Sequence, residues 1–207
     1  MVDEPDPNAP ATDAESVQTA LARAAQDGDE QAFAKLYESL SPALLTWADY
    51  RLRTSANLDP ADVIQEVWCR AWRRIDTFQA DKVPFRAWIF RIAKNVAMEG
   101  MRRARQGASE PAGPTTRLFA LGNLPDTVTA VSQRMMKMEA LKSFRSSIEE
   151  QPEEERRLLV HCGLEGLPHK EVAERLGLPI ATVTKRWQRL RQRLLEEGIP
   201  ETLLILS

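Results

Sequence analysis

Residues 85–105 read Phe-Arg-Ala-Trp-Ile-Phe-Arg-Ile-Ala-Lys-Asn-Val-Ala-Met-Glu-Gly-Met-Arg-Arg-Ala-Arg. Wound at about 100° per residue, the helical period, they sort by chemistry. One arc holds Phe85, Trp88, Ile89, Ile92, Ala93 and Val96. The opposite arc holds Arg86, Arg91, Lys94, Arg102 and Arg105, with Asn95 at its edge and Phe90 among the charges. Cations attract phosphates in any base context. A ring beside them can stack on an unpaired base, worth roughly 1–3 kcal/mol per base. The pattern therefore offers non-covalent binding of an opened strand. The plain alternative is a solvated basic helix with one stray ring.

A second cationic module lies at 168–196. Val172, Ala173, Leu176, Leu178, Val183, Trp187, Leu190 and Leu194 form one apolar seam, and Ala173 is small where two helices must cross closely. Gly177-Leu178-Pro179 is a tight turn between a short helix and a longer basic one, the helix-turn-helix pattern. Outside the seam the last helix carries Thr182, Thr184, Lys185, Arg186, Gln188, Arg189 and Arg191. Such a helix suits the major groove, where its N-terminal half meets base edges. Lys185 and Arg189 reach guanine or phosphate, and Gln188 can read adenine. A three-helix bundle with a charged exterior is the plain alternative.

Reactive chemistry is missing from the pattern. There is no nucleophile–base pair, paired carboxylate site or phosphate-cradling glycine loop, so the chain is not expected to be an enzyme and no cofactor is expected. Cys69 and Cys162 are far apart, which fits reduced thiols rather than a disulfide framework. His161, Cys162 and His169 do not have the spacing of a zinc site, so no metal is expected. The net charge of −2 conceals an uneven distribution: Asp3, Glu4, Asp6, Asp13 and Glu15 make an acidic start that offsets the two basic helices. No apolar run reaches the roughly 18 residues of a membrane span, and an acidic N-terminus does not read as a secretory signal. The expected location is the cytoplasm.

The elements that must carry these faces follow from periodicity and punctuation. Residues 1–15 read as a disordered acidic lead. A helix is predicted from Ser16 to about Gln26, broken by Asp27-Gly28-Asp29. Asp29 caps the next, and Ser41-Pro42 predicts a fresh helix start running to about Arg53. Asp59-Pro60 repeats that device for a helix over 60–74, with Val63, Ile64, Val67, Ala71 and Trp72 inside and Asp62, Gln65, Glu66, Arg70 and Arg73 largely outside. A loop, 75–84, with Phe78 in its middle, leads into 85–105. Residues 106–130 lose periodicity and read as a linker between two units. A helix over 131–149, a helical stretch over 153–164 and the helix-turn-helix complete a second unit, 131–198, before an apolar tail, 199–207. The fold class is all-α with two small helical domains, the first over 16–105.

Two segments resemble a known family, the bacterial RNA polymerase sigma factors of the extracytoplasmic-function class. The first is Pro60-Ala-Asp-Val-Ile-Gln-Glu-Val-Trp-Cys-Arg-Ala-Trp72 followed by Phe85-Arg-Ala-Trp-Ile-Phe-Arg-Ile-Ala-Lys-Asn-Val-Ala97; the second runs from Gly166 to Leu194. The resemblance implies that Asp62, Gln65 and Glu66 dock on the clamp coiled coil of the polymerase largest subunit. It implies that Phe78, Lys82, Arg86, Phe90, Arg91, Lys94 and Asn95 open the minus-ten element of promoter DNA and hold an extruded base. Thr182, Thr184, Lys185, Arg186, Gln188 and Arg189 would grip the minus-thirty-five duplex. Core RNA polymerase, including its flap, and an anti-sigma protein are the implied partners. Pro168-His169, Lys185, Trp187 and Met98-Glu99-Gly100 depart from the family pattern and bear on promoter choice; Gly100 weakens its helix by about 1 kcal/mol relative to Ala. The rival reading is a helix-turn-helix regulator that binds duplex DNA without polymerase.

Overall fold

The computed structural model describes residues 13–53, 58–105, 124–125, 128 and 146–199. The expected acidic lead, most of the linker, most of the helix over 131–149 and the tail beyond Ile199 lie outside the described residues. The fold is all-α, and no strand occurs among the described residues.

Four helices build the N-terminal bundle: α1 (Asp13–Gln26), α2 (Glu30–Leu52), α3 (Pro60–Arg73) and α4 (Phe85–Arg105). The caps are those the sequence predicts. Asp29 Oδ1 accepts from the backbone N–H of Gln31 and Ala32, and Asp59 Oδ1 from that of Ala61, satisfying donors a helix start leaves orphaned. Phe85, Trp88, Ile89, Ile92, Ala93 and Val96 of α4 are all buried, as their spacing requires. They meet Leu36, Leu40, Leu44, Val63 and Ile64 in one apolar cluster. Gly100 faces α3's approach: a Cβ there would meet Leu58 Cδ1 and Cδ2 at 3.3 Å. The glycine lowers helix propensity at a point where Leu58 packs closely.

The predicted break at Ser41-Pro42 is overturned, for α2 runs straight through it. Pro42 removes one helical N–H and normally costs about 3 kcal/mol inside a helix. Here Leu40, Ala43, Leu44 and Trp47, on both sides of the proline, are buried in the same core, and that packing holds the axis continuous. Ser41 caps nothing; its hydroxyl is buried without a hydrogen bond among the described residues. Thr46 Oγ1 donates to the Pro42 carbonyl at 2.8 Å.

The C-terminal unit contains α5 (Glu153–Leu158), a π-helical continuation (Leu159–Leu164), α6 (His169–Leu176) and α7 (Ile180–Glu196). α6 ends on Gly177 at φ 66°, a left-handed position that suits glycine, and α7 leaves the turn after Pro179. Val172, Ala173, Val183, Trp187, Leu190 and Leu194 of the expected seam are buried, with Leu176 and Leu178 packed against them. No helix among the described residues is long and apolar enough to cross a membrane.

Candidate nucleic-acid interface

α7 presents Lys185, Arg186, Gln188 and Arg189 to solvent, while Thr182 and Thr184 are half-buried. Arg186 is engaged by Glu154 of α5 at 2.6 Å. Thr184 Oγ1 lies 3.0 Å from Nδ1 of His169, whose pKa burial pushes down. Lys185, Gln188 and Arg189 make no ion pair within the described residues and lie along the outward side of the second helix of the helix-turn-helix. Of the six residues expected there, these three form the available polar face, and Thr184 and Arg186 already have protein partners.

On α3, Asp62 and Gln65 are half-buried at the surface. Glu66 departs from expectation. It is only 6% exposed and pairs with Arg70 Nε at 2.6 Å. Arg70 in turn holds both oxygens of Glu99 on α4, at 3.0 and 2.9 Å. The Glu99 hydrogen bonds are the main reason the Arg70 pKa is raised. Glu66 therefore faces inward, toward an arginine that ties α3 to α4. Counting along a helix did not reveal this, because the arginine one turn on draws the carboxylate inward.

The minus-ten candidates fall into three groups. Lys82, Arg91 and Asn95 are exposed. Phe78 is core: it is 3% exposed and packs edge-on against Phe85, with ring centroids 5.3 Å apart, and against Trp88 at 5.7 Å. Arg86 and Phe90 contradict the expectation of an open cationic face, being 4% and 1% exposed, and Lys94 is drawn into an ion pair. Arg86 and Lys94 are engaged by the C-terminal unit, and the Phe90 ring packs against Trp47 of α2.

That cover is specific. Phe90 meets Trp47 of α2 edge-on at 6.0 Å, and the Arg86 guanidinium lies 5.5 Å from the Phe90 ring. Arg86 Nη2 donates to the carbonyl of Gly163 at 3.1 Å and Nε to that of Leu164 at 3.3 Å. These carbonyls end the π-helical segment, where a helix leaves its last acceptors without partners. Glu165 follows them and is 3% exposed. Its Oε1 accepts from Trp47 Nε1 at 2.7 Å, while its Oε2 lies 3.3 Å from Lys94 Nζ and 3.1 Å from His161 Nδ1. At the rim, Tyr50 donates to Glu153 at 3.2 Å and Arg53 stands 3.7 Å from the same carboxylate.

Burial acts on these charges in opposite ways. It pushes the Arg86 pKa down to about 10, which still leaves the guanidinium charged at neutral pH. Burial alone would raise the Glu165 carboxyl. The hydrogen bond from His161, the Lys94 charge and the Trp47 N–H outweigh it and hold the group at about 2. A carboxylate depressed in the folded state stabilises it above the unfolded pKa, and that contribution is lost as pH falls through the folded value. Acid titration should therefore remove on the order of 3 kcal/mol between pH about 4.5 and about 2. Glu165→Gln should flatten this part of the stability-versus-pH curve in denaturant melts.

One loop-positioning residue escaped the sequence reading. Gln26 Nε2, at the end of α1, donates to the carbonyls of Ile75 and Phe78, both at 2.9 Å. It pins the 3₁₀ turn Ile75–Thr77 at the mouth of loop 75–84. Nothing local marks a polar residue at a helix end for this task. Cys69 and Cys162 are buried free thiols, and burial pushes the Cys162 pKa up to about 12. His161 and His169 are each engaged by a different protein partner, Glu165 and Thr184.

A sigma-70 region 2 family model matches residues 36–107, and a sigma-70 region 4 model matches residues 141–194. The RNA polymerase sigma factor NccH of Alcaligenes xylosoxydans xylosoxydans is 32% identical over 190 residues, covering 86% of this chain and 93% of that protein. The ECF RNA polymerase sigma factor RpoE of Cereibacter sphaeroides is 29% identical over 183 residues, 84% of this chain and 93% of its own. The ECF RNA polymerase sigma-E factor of Escherichia coli K12 is 28% identical over 179 residues, covering 83% and 89%. Among solved structures, CnrH in complex with the cytosolic domain of CnrY is matched at 26% identity over 87% of this chain and 96% of that one, with a TM-score of 0.43. With both regions matched in order, and with likeness to NccH across most of both chains, the chain belongs to the sigma-70 family, in its extracytoplasmic-function group: it binds core RNA polymerase and directs promoter-specific initiation of transcription.

Proposed function

We propose that the work of this sigma factor is divided by residue between its two regions, within a first domain over 16–105 and a second over 131–198. Lys185, Gln188 and Arg189 on α7 grip the duplex minus-thirty-five element, with Thr182 at the start of that face and Thr184 held in place by His169. Lys82, Arg91 and Asn95, and with them Arg86, Phe90 and Lys94 once uncovered, engage the minus-ten strand. Phe78 serves that site from the core by anchoring loop 75–84. Asp62 and Gln65 meet the clamp coiled coil of polymerase, and Glu66 supports that face through Arg70. The observation that carries the reading is the solvent-facing trio on α7, cationic and amide side chains without ion pairs among the described residues, in the geometry that major-groove reading requires.

The factor has no reaction of its own on this reading; polymerase supplies the chemistry and the factor supplies binding energy. Its place of action is the cytoplasm, where polymerase and template are. The family resemblance further implies an inhibitory anti-sigma protein, and one is included among the proposed partners.

The test is transcription in vitro with core RNA polymerase and fragmented genomic DNA. The chain should produce transcripts from discrete start points that core enzyme alone does not make. Tight, site-specific duplex binding without polymerase, and no new start points with it, would favour the stand-alone regulator instead.

A further inference from the structure

We infer that His169 fixes the Thr184 hydroxyl as a hydrogen-bond donor toward the major groove, so that Thr184 selects a purine by its N7 acceptor and His169 is a specificity-determining positioning residue. The inference rests on the proposed role of α7 as the reader of the duplex. Thr184 precedes Lys185 and lies one helical turn before Gln188, in the N-terminal half of α7 that meets base edges. Its hydroxyl is not spent in the usual way. A helical threonine commonly donates to the carbonyl one turn back, as Thr46 does to Pro42. Thr184 makes no such bond among the described residues. Its Oγ1 lies 3.0 Å from Nδ1 of His169, the first residue of α6.

The far side of the ring decides which of the two donates. His169 Nε2 is buried and has no partner among the described residues. A proton on it would be a buried N–H without an acceptor. Such orphans are rare in folded proteins, and bare acceptors are tolerated more readily. The proton therefore sits on Nδ1, and His169 donates to Thr184. A hydroxyl that accepts still keeps its own hydrogen. The Thr184 O–H is thus left to donate outward, and a side chain that ordinarily serves either side of a pair becomes one-sided. It matches N7 of guanine or adenine and opposes the N4 amino group of cytosine, which is a donor itself.

Two measurements on the full chain test this. The first needs no DNA. The sequence has two histidines, so a long-range nitrogen–proton correlation spectrum of the histidine-labelled chain holds two rings, and His161→Gln identifies which is His169. In mildly alkaline buffer the His169 ring should be the Nδ1–H tautomer. An Nε2–H ring would overturn the inference.

The second uses the chain bound to core polymerase on a promoter recovered by the transcription assay. Each minus-thirty-five purine is replaced in turn by its 7-deaza analogue, which keeps base pairing and lacks the N7 acceptor. One replacement should weaken wild-type promoter binding about three- to tenfold, the worth of one hydrogen bond, and should have no effect in Thr184→Val or His169→Phe. His169→Asn, whose amide N–H stands in for Nδ1–H, should restore the sensitivity. Purines read by Gln188 or Arg189 should stay sensitive in every one of these variants. The ratio of modified to unmodified template is internal to each variant, so a general loss of stability cancels. If every sensitive purine stays sensitive in Thr184→Val or in His169→Phe, the inference is overturned while the duplex reading of α7 stands. If Lys185→Ala with Arg189→Ala transcribes like the wild type, the duplex reading itself fails and takes the inference with it.

Discussion

A chain carrying Trp187→Ala is expected to lose its second domain while keeping its first. Trp187 is fully buried in the α6–α7 seam, among Val172, Val183, Leu190 and Leu194. Removing such a ring costs roughly 3–5 kcal/mol through lost burial and the cavity left behind. A unit this small has little to spare, since whole domains are stable by only about 5–15 kcal/mol. Limited proteolysis should cut within 146–199 and spare 13–53 and 58–105, and the thermal melt should split into two steps. Trp187→Phe is expected to be far milder. The indole N–H has no hydrogen-bond partner among the described residues, so losing it abandons none of their bonds. A single cooperative melt at the wild-type temperature for Trp187→Ala would show that the ring does not hold the seam.

The second large effect is functional. Lys185→Ala combined with Arg189→Ala should reduce promoter-directed transcription by polymerase at least tenfold, since each base or phosphate contact of this kind is worth about 1–3 kcal/mol. Both side chains are solvent-exposed, so the fold and the affinity for core polymerase should be preserved. The salt dependence of promoter binding should become shallower by about 2 in slope if both contact phosphates, and by less if one reads a base. Transcription within twofold of wild type would move the duplex contact away from this face.

The bundle was legible in the sequence because it depends on short-range rules. Asp29 and Asp59 cap where they should, the α4 stripe is buried residue for residue, and Gly177 takes the left-handed turn that the helix-turn-helix needs. Misreadings arose where a distant residue decides. Arg86 falls on the polar arc by angle, yet segment 159–165, more than seventy positions further on, seats against it, and Phe90 on the same arc is met by Trp47 of α2. Glu66 points outward by angle, but Arg70 and Glu99 draw it in. Pro42 is a sound stop signal locally, and burial of the residues flanking it overrides the signal. Period and punctuation report the face a helix offers to its own neighbours; they carry no information about a second unit that comes to rest on the other side.

The π-helical stretch Leu159–Leu164 closes its ladder one residue later than an α-helix does, with the N–H of Glu165 reaching back to the carbonyl of Val160 at 2.9 Å. Such a stretch is an α-helix with a single surplus residue, and each residue turns a helix by about 100°. Shortening this stretch by one position would let it relax to the ordinary winding and swing the Glu165 carboxylate about a quarter-turn off Trp47 and Lys94, while the α6–α7 seam, which lies wholly downstream, keeps its own packing. One codon thus decides whether Glu165 reaches Trp47 and Lys94, without altering a single side chain on the outward face of α7.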